Sequence, residues 1–117
     1  MSIVIQKINR EYSSAIELAK VYYTFITNIN KIKIRPKELD LLCFCAVHGT
    51  ISTPKVREAF IEQYNTPKNS VYNIVSQLQK MKLMTKVNGK IKVNPVIQLD
   101  FTQSSFRIEL TLLNKGL

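Results

Sequence analysis

Residues 66–95, TPKNSVYNIVSQLQKMKLMTKVNGKIKVNP, change their hydrophobic period part-way along, and that change decides the fold. Val71, Ile74, Val75, Leu78 and Met81 follow the three-and-four spacing of one helix face, whereas from Met84 onward apolar and polar residues alternate as in a strand. Asn88-Gly89 interrupts the alternation, and both central positions of a two-residue hairpin turn need positive φ, which Asn and Gly tolerate best. Such a turn sets Val87 opposite Lys90, Lys86 opposite Ile91 and Thr85 opposite Lys92. Met84, Ile91 and Val93 then share a packing face, Thr85, Lys90 and Lys92 the outward one, and Lys86 near the tip can lean either way. Asn94-Pro95 closes the hairpin.

Upstream, Thr66-Pro67 repeats Thr53-Pro54, each a hydroxyl N-cap followed by a proline at the first helical position. Two helices are expected at close spacing, about 54–63 and 67–82. A further helix spans 36–48, with Glu38 and Asp40 near its positive end, Gly49 placed to end it in a left-handed cap, and Leu39, Leu42, Cys43 and Ala46 as its buried stripe. Residues 31–35 form an extended link and 50–52 a turn or a single bridging strand.

The outer segments are expected to complete an α+β domain. A short strand is read over 2–8 and a helix over 11–30, where Ala15, Leu18, Tyr22, Phe25 and Ile29 form an apolar stripe widened by Ile16, Ala19, Tyr23 and Ile26. A stripe this broad suits either core packing or docking combined with pairing to a second copy. Beyond the hairpin, 96–101 and 106–112 alternate as strands of a C-terminal β extension, whose apolar edge needs the N-terminal strand, a second subunit or another protein to cover it. The chain reads as a single domain over 1–117: a strand and a bracing or dimerising helix (1–34), a central unit (35–95), and the β extension (96–117).

The charge distribution points to a partner class. The chain has 117 residues, 45% hydrophobic and 21% charged, with a net charge of +9. Residues 35–95 carry ten basic and four acidic side chains. Between Glu62 and Asp100 there is no carboxylate at all, yet six lysines lie there: Lys68, Lys80, Lys82, Lys86, Lys90 and Lys92. Codon bias would explain lysine in place of arginine, not missing acids. A positive surface carried on a helix and an adjoining hairpin suits neutralisation of phosphates.

Catalysis and metal binding find little in the chain, so an enzyme is not expected and neither is a cofactor. The single histidine, His48, stands beside Gly49 at a helix end, where capping or surface exposure accounts for it. Cys43 and Cys45 are two apart in a helix, so they diverge; they can neither bridge each other nor complete a four-ligand site, and they read as reduced core filler. Glu58 and Glu62 share a helix face as solvated surface. No apolar run approaches the roughly 20 residues of a membrane span, and the N-terminus lacks a signal-peptide layout, so a cytoplasmic location is expected.

The run from Arg35 to Pro95, and most closely NSVYNIVSQLQKMKLMTKVNGKIKV (69–93), resembles the winged helix-turn-helix domains of bacterial and phage regulators. The family carries a glycine where this chain has Lys82, before an aliphatic pair matched by Leu83-Met84. The resemblance implies that 67–82 is a recognition helix for the major groove of double-stranded DNA and that 84–93 is a wing against backbone or minor groove. Helix contacts would come from Lys68, Asn69, Ser70, Tyr72, Asn73, Ser76, Gln77 and Lys80; the amides suit adenine edges and the hydroxyls suit phosphates. Lys86, Asn88, Lys90 and Lys92 would serve on the wing. The expected role is transcription regulation, or replication and genome handling, as a homodimer whose two half-sites multiply few contacts. Winged helices also act purely through protein contacts, so a structural adaptor of a phage particle or other assembly is the competing reading.

Overall fold

α2 (Pro36–His48) is the helix around which the others are arranged. Leu41, Leu42, Cys43, Phe44, Cys45 and Ala46 are all buried, and a helix apolar on every side must be enclosed on every side. In the computed structural model, which describes residues 12–103, α2 packs against α1 (Ala15–Ile29), α3 (Pro54–Tyr64), α4 (Lys68–Lys80) and β2 (Lys90–Val93). β1 (Met84–Val87) completes the architecture by pairing with β2, making an α+β fold of four helices and one two-stranded antiparallel sheet among the described residues. Residues 2–8 and 106–112, read from sequence as strands, lie outside the described residues.

Local chemistry sets the boundaries of α2. Pro36 occupies its first turn, and the carboxylate of Glu38 accepts the backbone N–H of Arg35 at 2.8 Å, satisfying a donor that the helix start leaves open. Gly49, at φ +88°, ends the helix in the expected left-handed cap and donates its N–H to the carbonyl of Cys45 at 2.8 Å.

The hairpin has the register set by its turn: Met84 pairs with Val93, Thr85 with Lys92, Lys86 with Ile91 and Val87 with Lys90. Asn88 and Gly89 both have positive φ, +51° and +80°. Met84 and Val93 are buried on the face toward the helices. The outer edge of β2 is covered by residues 50–52. Ile51 donates its N–H to the carbonyl of Ile91 at 3.2 Å, the Thr50 hydroxyl donates to the same carbonyl at 2.8 Å, and Ser52 Oγ accepts the N–H of Ile91 at 2.7 Å. Both backbone groups of Ile91 are thereby satisfied without a full third strand.

Three sequence expectations are corrected. The threonine hydroxyls do not cap their helices: Thr53 is the N-cap of α3 without a side-chain bond, and the N-cap of α4 is Pro67. Thr66 is buried and its Oγ1 is engaged elsewhere, donating to the Tyr64 carbonyl and accepting from Lys37 Nζ, each at 3.1 Å. Lys37 Nζ also donates to the Tyr64 carbonyl, so the end of α3 is tied back to α2.

In α1 the fully buried residues are Ala19, Tyr23 and Thr27; Ile16 and Tyr22 pack half-buried against the same core, whereas Ala15, Leu18 and Phe25 are half-buried and Ile29 is exposed, so the core side is centred on residues that widen the stripe and not on its middle. Ala19 is small enough to bring the helix close to its neighbours. Tyr23 Oη donates to the carbonyl of Ile97 at 2.8 Å, and the Thr27 hydroxyl returns to the Tyr23 carbonyl at 2.8 Å.

Finally, residues 96–101 form no strand. Asn94 Oδ1 accepts the N–H of Val96 at 3.1 Å and starts a 3-10 turn, Pro95–Ile97, that leaves Val96 88% exposed. Leu99 is then buried beyond the turn, and Gln98 donates to the carbonyl of Ala46 at 3.3 Å.

Candidate nucleic-acid interface

α4 buries Val71, Val75 and Leu78 and turns its remaining surface outward. Lys68, Asn69, Asn73, Ser76, Gln77 and Lys80 are exposed, Ser70 is half-buried, and Tyr72 is 48% exposed. The amide-rich face deduced from helical periodicity is therefore solvent-facing along its length. On the hairpin, Lys86, Asn88 and Lys90 are exposed. Lys92, paired with Thr85 across the sheet, is half-buried and contributes its charge from closer to the protein surface.

The electrostatics follow from the missing acids. Among the described residues there is one ion pair, Lys20 to Asp40 at 3.7 Å, on α1 and α2. None of Lys68, Lys80, Lys86, Lys90 or Lys92 has a carboxylate within ion-pair distance in that region, so their charges are left for solvent or an external anion.

A small groove of about 100 Å³ joins the two elements. Val71, Tyr72 and Val75 of α4 form one wall, Ile91 of β2 another, and Arg57 of α3 with residues 51–52 close it. Ile91 sits between Lys90 and Lys92, so the N-terminal half of α4 and the lysine-bearing strand border one depression. Arg57 is the residue that sequence reasoning missed. Its Nη1 donates to Tyr72 Oη at 3.3 Å and its guanidinium carbon lies 5.7 Å from the Tyr72 ring centroid. The contact joins two helices through residues fifteen apart in the chain, and no local periodicity signals it.

Lys82, just beyond α4, has φ +61°, the left-handed conformation for which glycine is best suited. His48 is exposed and lies against Phe44, with ring centroids 4.1 Å apart. Cys43 and Cys45 are both buried free thiols, pushed up to about 12 by desolvation, which disfavours thiolate. Among the described residues, no three His, Cys, Asp or Glu side chains gather into a metal-holding group, and no helix is long and apolar enough to cross a membrane.

Comparison of the chain with protein-family models, curated proteins and solved structures gave no match.

Proposed function

We propose that residues 35–95 form a winged helix-turn-helix and that the chain binds double-stranded DNA through it, as a transcriptional regulator or a genome-handling factor. In this reading α4 enters the major groove, with Asn69, Asn73 and Gln77 facing base edges, and the hairpin is a wing whose lysines meet phosphates. The order α2, α3, α4, β1, β2, with only residues 65–67 between α3 and α4, is compatible with that architecture.

The observation that carries the reading is the exposed, carboxylate-free surface of α4 and the hairpin, whose lysines have no acidic partner among the described residues. Unpaired surface lysines around exposed amides are chemically matched to a polyanion that presents hydrogen-bonding edges.

Dimer formation is part of the same proposal and rests on α1. Its outward arc keeps Val21 43% and Ile29 51% exposed, an apolar surface beyond the one α2 covers. Titration of a random-sequence duplex at low and moderate salt, with sedimentation in the same buffer, tests both parts. Binding that weakens steeply with salt is expected from a dimer; a chain that binds no duplex at low salt ends the DNA reading.

A further inference from the structure

We propose that Arg57, Tyr72 and Ser52 form a prebuilt clasp for one backbone phosphate, seated where α3, α4 and the hairpin meet; this rests on the DNA-binding reading above. All three side chains leave hydrogen-bond donors uncommitted. Arg57 presents five N–H donors, and its bond within the described residues goes to a neutral phenol oxygen, not to a carboxylate, although Glu58 adjoins it in sequence. Tyr72 Oη accepts that bond and keeps its own proton free to donate. Ser52 is in the same position: its Oγ accepts the N–H of Ile91 at 2.7 Å, and its hydroxyl proton has no acceptor among the described residues.

All three residues line the groove between α4 and β2, so the polar groups facing it are a cation and two spare hydroxyl donors. A site made of donors with no acceptor of opposite charge selects an anion. Guanidinium is the group best shaped to grip two phosphate oxygens at once. The other walls are Val71, Val75, Ile51 and Ile91, so the three donors are the polar groups that the groove offers a ligand. The hydrogen bond to the Tyr72 oxygen and the cation–π approach to its ring orient the guanidinium before the ligand arrives, so less side-chain freedom is lost on binding. The clasp would fix the register of α4 on the duplex without reading sequence, leaving selectivity to Asn69, Asn73 and Gln77.

The test is a fluorescence-anisotropy titration of a labelled random-sequence duplex across a salt series, with Arg57→Gln, Arg57→Lys, Tyr72→Phe and Ser52→Ala beside the wild type and Lys90→Ala. Arg57→Gln keeps the stem and a donor, so thermal melting should be unchanged while affinity falls about tenfold and the logarithmic salt slope drops by about one unit. Arg57→Lys should keep the slope and lose part of the affinity, because the charge survives and the fork does not. Tyr72→Phe and Ser52→Ala should each weaken binding a few-fold with the slope intact; Ser52→Ala also removes the acceptor of the Ile91 N–H and should lower the melting temperature, whereas Tyr72→Phe should not. If Arg57→Gln retains wild-type affinity and slope while Lys90→Ala weakens binding, the clasp is overturned and the DNA reading stands. If neither hydroxyl deletion has an effect, Arg57 acts alone and the three-donor clasp is wrong. If the wild type binds no duplex, both proposals fall.

Discussion

Asn94 Nδ2 donates to the carbonyl of Lys82 at 3.0 Å, tying the residue after β2 to the point where the chain leaves α4. The Asn94 N–H adds a bond to the Leu83 carbonyl at 2.9 Å. Lys82, at φ +61°, makes the left-handed turn that ends the helix, closed by the Leu83 N–H donating to the Leu78 carbonyl at 3.0 Å, and a side chain there costs about 1 kcal/mol relative to glycine. Replacing Lys82 with Gly should therefore raise unfolding free energy by roughly 0.5 kcal/mol, the strain relief slightly exceeding the added freedom of the unfolded chain. Asn94→Ala should lower it by about 1 kcal/mol by removing a bond across the mouth of the hairpin. Urea midpoints decide the matter, and a Lys82→Gly variant less stable than wild type would show that the lysine side chain contributes more than its backbone costs.

The two halves of the proposed interface predict different losses. Lys90→Ala with Lys92→Ala should weaken binding to every duplex and flatten the salt dependence by up to about two units of slope. Asn73→Ala with Gln77→Ala should leave the slope unchanged and narrow the difference between a selected site and random sequence, each lost bidentate contact being worth about 1–3 kcal/mol of discrimination. Competition titrations with unlabelled random duplex separate the two effects. An amide-pair loss of affinity that is equal on the selected site and on random sequence would mean that α4 meets only backbone.

What was legible in the sequence is what short-range chemistry controls. The register of β1 and β2 follows from a two-residue Asn-Gly turn, and the end of α2 from one glycine at a left-handed position. The buried and exposed faces of α4 follow from a single amphipathic period. What could not be read depends on partners distant in the chain. Thr66 looks like a cap until Lys37, 29 residues earlier, engages its hydroxyl. Residues 96–101 alternate like a strand, but Asn94 and Pro95 start a turn and Ile97 is held by Tyr23, so the alternation is spent on a wrapping segment instead. In α1 the apolar arc is so wide that periodicity could not say which part meets α2. Arg57 was overlooked because its only signal is a contact with another helix.

The buried thiols set an alkaline limit on stability. Cys43 and Cys45 rise from 9.0 to about 12 on burial, and Tyr23 is raised in the same direction by desolvation. A folded thiol that holds its proton longer than the unfolded one contributes no penalty below pH 9; above it, the unfolded chain ionises first and gains stability. Unfolding free energy should fall by about 1.4 kcal/mol per thiol between pH 8 and pH 10 and continue to fall toward pH 12. Denaturant titrations at those values measure it, with a Cys43→Ser/Cys45→Ser chain as a less pH-sensitive reference. At pH 7 iodoacetamide should label neither thiol until denaturant unfolds the protein, and fast labelling of the native chain would contradict their burial.

The outward arc of α1 gives the oligomeric prediction. At 100° per residue, Val21, Phe25 and Ile29 fall within about 80° of arc, away from Ala19 and Tyr23, which face the core. Phe25 is half-buried, Val21 and Ile29 are exposed, and none of the three is charged. If copies pair through it, Val21→Asp places a carboxylate in an apolar seam, a change that costs several kcal/mol once desolvated. The variant should sediment as a monomer where the wild type is a dimer and keep its own thermal transition, since Val21 is not part of the core. Thr24→Asp, on the polar side of the same helix, should leave the dimer intact. DNA affinity should fall in Val21→Asp without loss of the salt slope per protomer, because each copy retains its lysines while two half-sites no longer act together. A wild-type chain that stays monomeric at every concentration, or a Val21→Asp chain that still dimerises, removes α1 as the pairing surface.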